Sequence, residues 1–136
     1  MPRISEDAQR KIQNLINRFK YKYDSKVDSW RILEMDETGH YRGDCDDFAV
    51  TVWWYICGES YWKFWTGILL FKAKFWRCLT EKDYIGHLVL EYDGEAIDNI
   101  YLKWLKKDEM SHHFSGYLIN NILMVAIKML LGKIFK

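Results

Sequence analysis

The sequence predicts an α+β domain in which N-terminal helices pack on a small antiparallel sheet and an apolar helix closes the chain. Three observations point there. Apolar positions recur with helical spacing between residues 5 and 19 and again from Asp44 to Gly58. Alternating segments at 67–77, 85–92 and 95–101 read as strands, the last two joined by Asp93-Gly94. A run from Tyr117 to Phe135 is almost wholly apolar and contains no acid.

At 136 residues, 49% apolar and 29% charged, the chain is the size of one domain and has the composition of a globular one. A net charge of +1 supplies no overall drive toward nucleic acid, and a nucleic-acid partner is not expected. Cys45, Cys57 and Cys78 cannot all pair and show no zinc spacing, which suits a reducing compartment. The segment from Met1 to Asp7 has no apolar core or cleavage site of a secretory signal, so a cytoplasmic location is expected, or a virion component if the protein is phage-encoded.

The first helix starts at Ser5, an N-cap followed by Glu6 and Asp7, and carries an apolar stripe of Ile12, Leu15, Ile16 and Phe19. From Lys22 to Tyr41 the periodicity lapses. Asp24-Ser25, Asp28-Ser29 and Thr38-Gly39 read as turns around a segment from Trp30 to Met35 with one or two helical turns. Asp44 then caps a helix, with Asp47 three residues on as in a capping box, and Gly58 ends it. Cys45, Phe48, Ala49, Val52 and Ile56 share one face. A thiol at a helix start sits among free N–H groups and the positive end of the dipole, which favour the thiolate.

In the strand at 67–77, Phe71, Ala73 and Phe75 alternate with Lys72, Lys74 and Trp76. If Asp93-Gly94 is a two-residue type I′ loop, Tyr92 pairs with Glu95, Leu90 with Ile97 and Val89 with Asp98. His87 and Asp98 then emerge on one face as diagonal neighbours, about 7 Å apart at Cβ or somewhat less, within reach of a hydrogen bond. Lys103 to Gly116 reads as a polar connector.

A cysteine nucleophile needs a base, and the base needs a third group to orient it. Cys45, His87 and Asp98 supply those parts, with the Cys45 N–H as one oxyanion donor. The segments Gly43-Asp44-Cys45-Asp46-Asp47-Phe48-Ala49, Gly86-His87-Leu88-Val89-Leu90 and Ala96-Ile97-Asp98-Asn99 resemble the transglutaminase-like cysteine peptidases, whose motifs read G-D-C-[ED]-D-[FY]-A, H-x-V-L and L-D-N. The resemblance covers roughly Trp30 to Ile100. It implies a papain-like fold, a catalytic triad of Cys45, His87 and Asp98, and a thiol protease of bacterial or phage origin. Some members hold a calcium ion beside the cysteine, which would fall on Asp44 and Asp46; the residues themselves also read as helix caps. No other cofactor is implied.

The expected function is thus a thiol-dependent amide hydrolase acting on a protein or peptide, the alternative a non-catalytic module with the same fold, such as a phage particle component. Hydrolysis and transfer to an amine differ only in what takes the acyl group, and a peptidoglycan cross-peptide is a further amide substrate. Trp30, upstream of the cysteine, is a candidate for the substrate-binding wall. Cys57 and Cys78 read as core, and His40, His112 and His113 as solvated loop residues. The domain is expected at 1–116. Residues 117–136 form a basic, apolar helix buried nearly all round, with a narrow polar stripe of Asn120, Asn121, Lys128, Gly132 and Lys136. It packs on the domain or a protein partner in preference to a membrane surface, and a membrane span ranks last because Lys128 falls mid-segment.

Overall fold

The computed structural model describes residues 2–23 and 29–135. The turn expected at Asp24-Ser25, the Asp28 half of the next one and Lys136 of the polar stripe lie outside these residues.

Helix α1 (Glu6–Arg18) begins at Ser5, whose hydroxyl accepts the Ala8 N–H, and buries Ala8, Ile12 and Leu15. Its end runs straight into β1 (Phe19–Tyr21), which pairs in parallel with β2 (Tyr41–Gly43). Helix α2 (Cys45–Ile56) follows, then α3 (Tyr61–Leu69). Strands β3 (Ala73–Leu79), β4 (Gly86–Tyr92), β5 (Glu95–Ile97) and β6 (His113–Leu118) form an antiparallel sheet in the order β5-β4-β3-β6. A short 3-10 turn (Lys107–Glu109) precedes β6, and α4 (Ile122–Phe135) closes the chain.

The β4–β5 hairpin has the expected register: Tyr92 opposes Glu95 and Leu90 opposes Ile97. Asp93 and Gly94 both have positive φ, 51° and 82°, as a type I′ turn requires. Beyond Ile97 the chain leaves the ladder, so the strand expected to Tyr101 stops at the residue before Asp98. Successive β4 residues serve opposite faces. Leu88 and Leu90 join the main core with Phe48, Val52 and Phe75, whereas Val89 packs with Cys78, Ala96 and Met110 on the far side.

Four expectations are corrected. Trp30 to Met35 contains no helical turn; it is an extended strap, because its N–H groups find non-local partners, Leu33 at Thr51 Oγ1 (2.8 Å) and Arg31 at Asp47 Oδ1 (2.8 Å). Residues 67–69 are helical and Phe71 sits exposed in a turn at φ 58°, so the strand starts at Ala73. Gly67 suits that helix because a Cβ there would meet the Trp53 ring at 2.2 Å. Residues 113–118, expected as connector and tail, form β6, which carries the sheet across position 116.

The fourth correction concerns the tail. Asn120 is a buried clamp rather than part of a polar stripe: its Oδ1 accepts the Phe75 N–H, and its Nδ2 donates to Ile68 O and Ala73 O. Helix α4 packs through Val125 and Gly132, with Gly132 against the Trp30 carbonyl and the Trp30 N–H donating to Lys128 O at 2.9 Å. Its other side leaves Leu123, Ile127, Leu130 and Ile134 between 49% and 70% exposed, so the helix is not buried all round. Among the described residues no helix is long and apolar enough to cross a membrane.

Candidate active site

The Gly43-Asp44-Cys45-Asp46-Asp47 segment is fixed locally. Asp44 Oδ1 accepts the Asp47 N–H at 3.0 Å and Asp47 Oδ2 accepts the Asp44 N–H at 3.3 Å, closing a capping box. Asp47 is buried, and its second oxygen holds the strap through Arg31 N. A Cβ on Gly43 would lie 2.8 Å from Asp47 Oδ2 and 2.9 Å from Leu33, so the box leaves room for glycine alone. Cys45 is therefore delivered to the first position of α2 by residues whose work is structural.

The thiol itself departs from the expectation of a stabilised thiolate. Burial, then the nearby carboxylates of Asp46 and Asp44, push Cys45 well above an ordinary thiol, against the pull of the Leu88 N–H. Its sulfur donates to Asp46 Oδ1 at 3.5 Å. Desolvation and two negative charges outweigh the helix dipole. Cys57 and Cys78 lie in the core, as expected, and burial first of all pushes each up to about 12.

The other half is assembled over long range. His87, second in β4, directs Nε2 to Asp98 Oδ2 at 2.7 Å, both side chains being buried. Asp98 follows β5 by one residue, and its Oδ1 accepts the N–H groups of Ile100 (3.1 Å) and Tyr101 (2.7 Å). Burial pushes the Asp98 carboxyl up, but the hydrogen bonds from His87, Tyr101 and His112 outweigh it and hold the group below its ordinary value.

His112 corrects the reading of that residue as a solvated loop. It is buried, and its Nε2 lies 2.7 Å from the same Asp98 Oδ2. The ring packs 4.8 Å from that of His87 and edge-on to Tyr101 at 5.4 Å. The signal missed was a weak strand from 113 to 118, which pairs with β3 on the side away from β4; Cys78 opposes both His87 and Phe114. His113 remains exposed, stacked on Tyr84, and His40 bonds within its own turn to Thr38.

Cys45, His87 and His112 open on one cleft of about 590 Å³, bounded by the 80–86 loop and by Asn99 to Tyr101. Helix α2 lies on the Leu88 side of the sheet and His87 emerges on the other, so Cys45 and the His87 ring line the cleft from either side of the start of β4. Tyr21, Ile85 and Ile100 make an exposed apolar rim. Trp30 does not line this cleft. It is fully buried against Phe75 and borders a separate groove of about 900 Å³ beneath α4, which corrects its expected place in a substrate wall.

Among the described residues, the group of three whose ligand-capable atoms converge within 4.8 Å is His87, Asp98 and His112. Their 2.7 Å spacings are those of N–H donors on a carboxylate. Asp44 and Asp46, the residues expected for calcium, fall in no such group; Asp44 Oδ1 caps α2 and Asp46 Oδ1 accepts the thiol.

No family model and no curated protein matches the chain. A solved structure does: Legionella pneumophila LapG (EGTA-treated) superposes with a TM-score of 0.55 at 19% sequence identity, covering 79% of this chain. The match spans 59% of the LapG chain. The chain accordingly has the α+β, transglutaminase-like or papain-like fold that this neighbour shares.

Proposed function

We propose that the protein is a thiol-dependent amide hydrolase, cysteine peptidase-like, acting through Cys45, His87 and Asp98. One observation carries this reading: Cys45 and His87 face one cleft, while Asp98 occupies Nε2 of His87 and leaves Nδ1 as the nitrogen for proton transfer. The LapG neighbour, a transglutaminase-like cysteine protease, supports it at the level of fold.

Because the resting thiol is held neutral, His87 acts as a general base during attack and not as half of a standing ion pair. The S–H bond breaks toward Nδ1 as sulfur adds to the amide carbonyl. The α2 N-terminus, with the Cys45 N–H first, faces the developing oxyanion. The imidazolium then returns its proton to the leaving amine, giving a Cys45 thioester that water, or a second amine, resolves. The apolar rim of Tyr21, Ile85 and Ile100 suits a substrate with an apolar side chain beside the amide.

Peptide-library cleavage together with intact-mass trapping of Cys45 by an activated peptide ester tests the reading. Products and a thioester adduct that vanish in a folded Cys45→Ala variant support it; a wild type that neither cleaves nor acylates at Cys45 overturns it.

The exposed stripe Leu123, Ile127, Leu130 and Ile134 favours a second reading, a structural module or particle component that docks through α4 on a protein or a membrane surface. A clean monomer in size-exclusion chromatography that also ignores lipid vesicles counts against it.

A further inference from the structure

We propose that His112 is a positioning residue for this site: it divides the Asp98 carboxylate with His87, so that the base is oriented by an anion held between two rings. This rests on the catalytic reading above.

The bonding leaves little freedom. Asp98 Oδ2 meets both Nε2 atoms at 2.7 Å, and Oδ1 meets two backbone N–H groups. A carboxylate offers about four acceptor sites, and here all are filled. It has no proton to give, so both rings must donate from Nε2–H. That fixes the tautomer of each.

The two rings then differ at their second nitrogen. His112 Nδ1 is buried with no hydrogen-bond partner among the described residues, and a proton placed there would be a buried donor without an acceptor. A cation at His112 would also lie 4.8 Å, ring to ring, from one at His87. A second proton on His112 thus has no acceptor to receive it, and the thiol proton goes to His87. The trio carries one negative charge at rest and none after transfer.

Other titratable groups face the trio: Cys45 from α2, Cys78 from β3, Tyr101 after β5, and Tyr21, Glu81, Lys82 and Asp83 around the cleft. Cys78 opposes His87 in the sheet and stays a thiol, since burial and then the Asp98 charge push it up to about 12.

Removing the His112 donor leaves Asp98 Oδ2 to His87 alone, which strengthens the carboxylate's pull on the proton of that ring. In His112→Phe, which keeps a ring against Tyr101 and Phe114, the acid limb of the Cys45 acylation rate should move to higher pH by roughly half a unit to one unit. His112→Gln, whose amide N–H reaches the same place, should return the limb to its wild-type position. An unmoved limb in folded His112→Phe, or a Gln variant as displaced as Phe, overturns the proposal. If wild-type Cys45 does not acylate, the functional reading fails. Nitrogen-15 spectra of the histidine rings still decide this inference: His112 as the Nε2–H tautomer at neutral pH supports it, and a proton on Nδ1 overturns it.

Discussion

The two halves of the site are built by opposite means. Cys45 is placed chiefly by contacts within its own turn, the Asp44–Asp47 box and the close approach of Gly43. The His87–Asp98–His112 half is assembled across elements: its members stand on β4, just after β5 and just before β6, separated by 11 and 14 residues, and meet only when both connections between these strands have folded. Local placement is sturdy but fixes only where the sulfur starts. Long-range placement fixes which nitrogen does the chemistry, and it concentrates the consequence of a single change.

The comparison is broken hardest at Asp98. Asparagine has one oxygen where Asp98 uses two, so its amide N–H must oppose either two ring donors or two backbone donors. Asp98→Asn should cut Cys45-dependent turnover on the order of 10³- to 10⁴-fold, by analogy with triads that lose their carboxylate, and also lower stability in urea unfolding. Since the folded Asp98 carboxyl lies below its unfolded value of about 3.9, its contribution to stability is present above that pH and lost as pH falls through the folded value. Unfolding curves between pH 6 and 3 should therefore be steeper in pH for the wild type than for the variant.

Next in size is a change that spares the chemistry. Asn120→Ala strips partners from Phe75 N, Ile68 O and Ala73 O, all buried around the start of β3, and should cost about 2–4 kcal/mol by chemical denaturation. Gly43→Ala should follow at about 1–3 kcal/mol, because Asp47 and Leu33 must yield to the new Cβ. If the local half is as self-contained as its contacts indicate, this loss appears in stability while ring spectra of His87 and His112 stay unchanged.

The same contrast explains what could be read in advance. Ser5, Asp44 with Asp47, and Asp93-Gly94 act over two to four residues by known capping and turn chemistry, so two helix starts and the hairpin register were legible. The register then carried His87 and Asp98 toward each other. The extended strap, the parallel β1–β2 pair, the Asn120 clamp and His112 depend on partners 14 to 52 residues away, which periodicity does not encode. The thiol was misjudged for a related reason. A helix start is visible in sequence, whereas the burial and the crowding by Asp46 that oppose it are properties of the assembled cleft.

The central claim is that His87 works as a base on a neutral Cys45, and the second-order rate of Cys45 labelling by iodoacetamide at pH 7.5 tests it most directly. In wild type Cys45 should react on the order of 10²-fold faster than in His87→Ala, with Cys57 and Cys78 unlabelled in both. Equal rates in wild type and His87→Ala would contradict it.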